Sequence, residues 1–292
     1  MSNVLVTGTN SGLGRRTAEV LAERGHTVVA TMREPEGKDA EAAETLAKSA
    51  ADTEGQIVVV PMDVTSDTSV ERGVALALER VGRLDAVVNN AGYAIGGITE
   101  TITSEQLLAA LNTNTVGPHR VARAVLPHLR GNHAGLLVFV SSGASRVVGP
   151  AMAAYSATKA AVEALALGYR YELRPLGIDV AIVQPGTFPT NLGDSHRVGQ
   201  DTDRQADYTE AMQLAGSFMQ NIGSVFSAPE PPDPREVADA VVALIEAPVG
   251  TRPERVSVDR FALGQAVEAI NAAAKVPQDR LLADFGLGAI VS

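Results

Sequence analysis

Asn3-Val4-Leu5-Val6-Thr7-Gly8-Thr9-Asn10-Ser11-Gly12-Leu13-Gly14 stands almost at the start of the chain and decides how the rest is read. The run from Asn3 to Thr7 has the β-branched, apolar character of a buried strand. Glycines at 8, 12 and 14 then predict a tight turn into a helix. In a strand–turn–helix unit of this kind the backbone N–H groups and the positive end of the helix dipole converge on one spot, which suits a pyrophosphate. Glycine triplets also serve ordinary strand-to-helix turns, so the rest of the chain has to choose between the two readings.

Working outward, short β-branched runs alternate with longer Ala/Leu/Glu-rich segments of helical period. Strands are expected near Asn3–Thr7, Thr27–Thr31, Gln56–Pro61, Leu84–Asn89, Gly135–Ser141, Ile178–Gln184 and Arg255–Val258. Helices are expected near Gly12–Arg24, Asp39–Ala51, Ser66–Val81, Ser104–Leu129, Ala153–Leu173, Thr202–Asn221 and Pro234–Glu246. This alternation implies an α/β fold with a seven-stranded parallel sheet covered on both faces. About 70 residues separate the sixth and seventh strands, far more than one connecting helix requires. The expected organisation is one domain over residues 1–292, with a substrate lid at 187–233 and a C-terminal extension at 260–292 whose apolar content predicts helices docked on the core or on a partner subunit.

Composition narrows the function classes. The net charge is −10, and only 4 of the 24 basic residues are lysine, with no basic run, which argues against a nucleic-acid surface. A local anion site remains open, because a glycine loop and a helix N-terminus supply positive potential whatever the total charge. The absence of cysteine removes disulfides and thiol chemistry. His26, His119, His128, His133 and His196 form no pair at metal-ligand spacing, so no metal is assigned. No apolar run approaches the roughly 20 residues of a membrane span, and the first strand begins too early for a signal peptide, so a cytoplasmic location is the expectation.

Three further features carry chemistry. The second strand ends Ala30-Thr31-Met32-Arg33, where a site for NAD of this fold commonly places an acidic residue on the ribose 2′-hydroxyl. Met32 cannot do that, whereas Arg33 suits a 2′-phosphate, although an arginine at a strand end is also a routine solvated residue. Tyr155 and Lys159 sit four apart at the start of a helix and therefore share one face. A neighbouring ammonium stabilises a phenolate and so favours proton exchange by the tyrosine. Ser142, thirteen residues before Tyr155, falls at the end of the fifth strand, where a parallel sheet presents its ligand-facing residues.

Together these stretches resemble the short-chain dehydrogenase/reductase family. The matching residues are Thr7-Gly8-x3-Gly12-x-Gly14, Asp63, Asn89-Asn90-Ala91-Gly92, Asn114-Thr115-Val116-Gly117, Ser142, Tyr155-x3-Lys159, and Pro185-Gly186 with Thr190. The resemblance covers about residues 3–190 and lies with the short, single-domain branch, similar to its 17β-hydroxysteroid and retinol dehydrogenase-like members. It implies a Rossmann doubly wound sheet and an oxidoreductase that interconverts a carbonyl and an alcohol by hydride transfer. It further implies that Tyr155 is the general acid/base, Ser142 orients the carbonyl, Lys159 lowers the tyrosine pKa and binds the nicotinamide ribose, and Asn114 holds a relay water. Gly8, Asn10, Ser11, Gly12, Leu13 and Gly14 would carry the pyrophosphate. Asp63 and Val64 would meet the adenine, and Asn90, Ala91 and Gly92 the adenosine side. Pro185, Gly186, Phe188 and Thr190 would meet the carboxamide.

NADP(H) is expected to be preferred over NAD(H) through Arg33, although Ser11 stands where some NADP enzymes carry a basic residue. The expected partners are a small carbonyl or alcohol substrate and further copies of the chain, as a homodimer or homotetramer. A largely apolar pocket is expected from Val147, Val148, Met152, Phe188, Leu192, Met212, Phe218, Met219 and Phe226. The rival reading is a nucleotide-sensing protein that keeps the fold without the chemistry. The presence of all four catalytic positions weighs against it.

Overall fold

The computed structural model describes residues 1–189 and 197–288. Nine strands and ten α-helices lie among them. The strands are β1 (Asn3–Thr7), β2 (Thr27–Met32), β3 (Gln56–Pro61), β4 (Ala86–Asn89), β5 (Ile95–Gly96), β6 (Gly135–Val140), β7 (Ile178–Pro185), β8 (Arg197–Val198) and β9 (Arg255–Val258). The helices are α1 (Gly12–Glu23), α2 (Ala40–Ser49), α3 (Asp67–Val81), α4 (Ser104–Leu111), α5 (Gly117–Asn132), α6 (Ala153–Leu173), α7 (Thr202–Gln205), α8 (Thr209–Gly223), α9 (Arg235–Glu246) and α10 (Ala262–Asp284).

Seven strands form one parallel sheet in the order β3-β2-β1-β4-β6-β7-β9. The side-chain period of a strand splits the apolar residues between its two faces. Val4 and Val6 of β1, with Leu136 and Val138 of β6, pack under α1, α2 and α9. Leu5, Leu137 and Phe139 face the other way, onto α3, α5 and α6. Both faces are thus buried, which is why these strands read as continuous apolar runs. The chain winds outward from β1 through β3 and returns to β4 on the opposite side of β1. The order therefore reverses between β1 and β4, and ligands of such sheets bind beyond the strand ends at that point.

The expected single helix over Ser104–Leu129 is two. A capping box between Thr103 and Gln106 starts α4, which ends at Leu111. A wide π-turn then occupies Asn112–Val116, with the Gly117 N–H donating to the Asn112 carbonyl, before α5 begins. Tertiary bonds explain the break. Asn114 is bonded to Tyr93 and Thr158, and Thr115 Oγ1 donates to the Thr158 carbonyl at 2.9 Å. The expected helix over Thr202–Asn221 likewise divides, into α7, a 3₁₀ turn at Ala206–Tyr208, and α8.

The C-terminal segment is one long helix, α10, with Pro277 inside it. It docks through its first turns: Leu263 and Val267 lie against Gly143, and Asn271 Nδ2 donates to Gln184 Oε1 at 2.7 Å. Farther along, Val276, Leu281 and Phe285 are exposed. Among the described residues no helix is long and apolar enough to cross a membrane.

Candidate active site

The glycine turn is built by close approach. Gly8 has φ +70°, and a Cβ there would come within 2.8 Å of the Ala91 Cα. A Cβ on Gly14 would overlap the Asn90 amide nitrogen and the Gly8 carbonyl oxygen. Asn90 reaches across that gap, donating through Nδ2 to the carbonyls of Thr7 at 2.9 Å and Gly8 at 3.2 Å. The Thr7 hydroxyl accepts the N–H groups of Asn90 and Ala91, each at 3.0 Å. Ser11 is the N-cap of α1 but makes no side-chain cap bond, so the first-turn N–H groups from Gly12 onward face outward without a side-chain acceptor. Leu13 packs into the core beneath them.

Met32 is 2 % exposed and belongs to the core, so it presents nothing to a ligand. Arg33, the next residue, is exposed. Burial alone would push the Asp63 carboxyl up; hydrogen bonds from the Thr65 N–H and hydroxyl, with the charges of Arg33 and Lys38, hold it below the usual aspartate range. Two cations therefore flank Asp63, and Lys38 was not legible as one of them because it lies in an irregular loop. Asp39, buried in the same loop, accepts from Asn10 Nδ2 at 3.3 Å and from the Glu34 N–H at 3.1 Å, tying that loop to the glycine turn. Val64 is buried against Gly117.

The second half of the site lies at the ends of β4, β6 and β7. Ser142 follows β6 and accepts the Ala144 N–H at 3.1 Å. Tyr155 and Lys159 point inward from the first turns of α6 and are 8 % and 5 % exposed. The Ser142 side chain lies beside the Tyr155 phenol, while Lys159 Nζ donates to the Val140 carbonyl at 2.9 Å and lies 5.8 Å from the tyrosine ring centroid. Burial pushes the phenol up to about 12, with Ser142 pulling it down. Burial pushes Lys159 down to about 8, with the Glu163 carboxylate opposing. Burial thus favours the protonated phenol, and Lys159 is not among the groups that shift it, contrary to the lowering expected of that lysine.

Asn114 is brought to the same place by the π-turn. Its Oδ1 accepts the Tyr93 N–H at 3.0 Å, and its Nδ2 donates to the Tyr93 carbonyl at 2.9 Å and to Thr158 Oγ1 at 3.1 Å. The amide expected to hold a relay water is thus already bonded to protein. A Cβ on Gly92 would lie 3.0 Å from Asn114 Oδ1 and 3.7 Å from Lys159 Nζ, which places Gly92 between them. At the end of β7, Pro185 pairs with Val258 in register, and the Gly186 N–H donates to the Val258 carbonyl at 3.0 Å. Phe188 packs against the core face that holds Leu13. Thr190 and Leu192 lie outside the described residues.

Of the expected pocket walls, Met152 packs with Tyr93, Ala144 and Tyr155. Phe218 of α8 lies on Gly149, where a Cβ would enter its ring. Val148, Met212, Met219 and Phe226 are exposed apolar side chains, so they are not core.

A doubly wound parallel sheet with a glycine cradle at its switch point and a buried Ser–Tyr–Lys cluster beside it defines a dehydrogenase-type α/β protein. Residues 2–201 match the pattern described as short chain dehydrogenase, and the chain belongs to that family. It is an oxidoreductase. The chain is 34% identical over 208 residues to the 3-ketodihydrosphingosine reductase of Bacteroides thetaiotaomicron, covering 71% of this chain and 72% of that one. It is 33% identical over 243 residues to the uncharacterized oxidoreductase YusZ of Bacillus subtilis, covering 82% and 83%. A short-chain dehydrogenase structure from Streptomyces avermitilis superposes with a TM-score of 0.77 at 30% identity, covering 98% of this chain and 97% of the other.

Proposed function

We propose that the protein reduces the carbonyl group of a largely apolar substrate with NADPH, using Tyr155 as the proton donor. The observation that carries this reading is the buried phenol of Tyr155, beside Ser142 and one helical turn from Lys159, at the same strand ends as the glycine cradle.

The cradle fits a dinucleotide: Gly8, Asn10, Ser11, Gly12, Leu13 and Gly14 leave a surface of backbone without side-chain bulk, where a pyrophosphate would lie. Arg33, with Lys38 beside it, would meet a 2′-phosphate, and Asp63 and Val64 the adenine. Asn90, Ala91 and Gly92 would line the adenosine side, and Pro185, Gly186, Phe188 and Thr190 would take the carboxamide. When bound, the reduced nicotinamide supplies a hydride to the carbonyl carbon.

The chain's own groups do the rest. Ser142 orients the carbonyl oxygen and holds the Tyr155 hydroxyl toward it. Tyr155, kept protonated by burial, delivers its proton to that oxygen. The Lys159 ammonium stabilises the phenolate left behind and holds the ribose hydroxyls. Asn114, its amide committed to Tyr93 and Thr158, fixes the Gly92–Tyr93 backbone against α6. Residues 187–233 act as a lid, with Phe218 resting on Gly149 beside the catalytic turn and the exposed apolar residues of this segment facing the substrate. An apolar ketone accords with the name of the ketodihydrosphingosine reductase relative.

The test is oxidation of NADPH and NADH by purified protein over a panel of β-keto esters, aryl ketones and long-chain aldehydes, with Tyr155→Phe alongside. Turnover in the wild type and a loss of about 10²–10⁴-fold in Tyr155→Phe, with NADPH binding retained, is the expected result. Wild-type turnover in the variant, or none in the wild type, refutes the reading.

A further inference from the structure

Glu163 is a buried carboxylate with no part in the steps above. It lies on α6 one turn beyond Lys159 and is 4 % exposed. Ser145, in the turn that follows Ser142, donates its hydroxyl to Oε1. Gln184 of β7, fully buried, donates to the same oxygen at 2.8 Å. Arg255 of β9 donates to Oε2 at 3.2 Å, and Arg146 Nε lies 3.5 Å from that oxygen. Burying a carboxylate is costly unless it is paired and hydrogen-bonded, and an apolar residue would fill this helical position without such partners.

We propose that Glu163 is a positioning residue: it ties the Ser142 turn to the helix that carries Tyr155 and Lys159, and it supplies the counter-charge that keeps Lys159 an ammonium ion. The proposal rests on the roles given to Ser142, Tyr155 and Lys159 above. The tie is direct. The single proton of the Ser145 hydroxyl is shared between Glu163 and the Ser142 carbonyl, which lies 2.7 Å away, so Glu163 fixes the backbone from which the Ser142 side chain springs.

The charge argument follows from what surrounds it. Arg146 comes from the turn after β6, Arg255 from the start of β9, and Glu254 from the residue before it, which pairs with Arg255. Strand β7 offers the neutral Gln184, which α10 holds through Asn271. Strand β6 gives Lys159 only the Val140 carbonyl. Glu268 of α10 lies farther out, lining the cavity of about 610 Å³ that Arg255 and Glu254 share. Without Glu163, Lys159 would lose the carboxylate one helical turn away whose charge opposes its burial. An ammonium already depressed by burial would then lose its proton more readily.

The protein holds 4 lysines, so ¹⁵N-lysine labelling gives few side-chain signals, and Lys159→Met assigns the one that matters. Glu163→Gln keeps the Oε1 acceptor for Ser145 and Gln184, removes the charge, and puts an amide donor where Arg255 finds Oε2. In it, the Lys159 signal is expected to titrate about one pH unit below wild type, a tenfold change in the protonation equilibrium. The alkaline limb of kcat, for the carbonyl of the panel that is turned over fastest, should move with it. Ser145→Ala removes only the tie: kcat should fall about tenfold at every pH while the Lys159 titration and the KM for NADPH stay as in wild type.

An unmoved Lys159 titration in folded Glu163→Gln overturns the charge half of the proposal, and wild-type kcat in Ser145→Ala overturns the tie. If Glu163→Gln does not fold, Glu163→Asp takes its place. It keeps a carboxylate but withdraws it by one methylene, so Lys159 should titrate below wild type, and an unmoved titration there overturns the charge half. Failure of the underlying assignment is seen separately, as turnover retained in Tyr155→Phe.

Discussion

The Thr7 hydroxyl accepts the Asn90 backbone N–H at 3.0 Å, across the gap between the ends of β1 and β4. The same oxygen takes the Ala91 N–H, and Thr7 is 1 % exposed, so no water can replace it. Thr7→Val keeps the shape and leaves two buried donors unpaired. A loss of about 2–4 kcal/mol in unfolding free energy is expected, with most of it recovered in Thr7→Ser. Denaturant unfolding of the two variants checks this, and equal stability of Thr7→Val and wild type would contradict it.

If Arg33 meets a 2′-phosphate, as proposed, it governs the choice between NADPH and NADH. Met32 is sealed in the core, so the ribose end of the site presents the Arg33 guanidinium with Lys38 behind it and no strand-end carboxylate. Arg33→Ala should lower the ratio of kcat/KM for NADPH over NADH by about tenfold, and the wild-type ratio should shrink as salt is raised. A ratio unchanged by the substitution sinks the assignment.

Reduction should weaken as the medium becomes alkaline. Burial depresses Lys159 to about 8, so its ammonium form is complete well below that pH and is lost as pH rises through it. Tyr155, pushed up to about 12, stays protonated over the same range and does not set the limb. The expected kcat/KM profile for the reductive direction is level near pH 6–7 and declines above about 8, approaching tenfold per unit. A profile level to pH 10 would exclude this role for Lys159.

Phe218 is seated on Gly149, and as part of the proposed lid it should bear on specificity. Phe218→Ala removes a partly buried ring of α8 without touching the main core. It should reorder the panel ketones by size, changing relative kcat/KM by about tenfold, while the melting temperature moves by no more than about 4 °C. Loss of melting temperature with the ranking preserved would show that the ring only packs.

The sheet was readable because its strands are buried on both faces, so runs such as Val4–Val6 and Leu136–Val140 announce themselves. Ser142, Tyr155 and Lys159 were readable because a strand end and a one-turn helical spacing fix where they must lie. Other features depend on distant partners. Nothing local in Asn112–Val116 opposes an α-helix; the π-turn is imposed by bonds to Tyr93 and Thr158. Met32 is no ligand to the ribose on the sequence reading, and the strand's alternation carries it into the core. Glu163 was available to the same one-turn argument that found Lys159. Its burial, however, is decided by Arg146, Gln184 and Arg255, which only the fold brings to it.

The wide turn at Asn112–Val116 also separates what the core needs from what the site needs. It holds one residue more than an α-helical turn and absorbs it, so that α5 continues in phase with α4. Deleting that residue would let the two helices join as one regular rod. Val121, Val125 and Leu129 would keep their places on the sheet, whereas Asn114 would lose the backbone that aims it at Tyr93 and Thr158. At this junction the chain can be shortened by one residue at the expense of the site and not of the core.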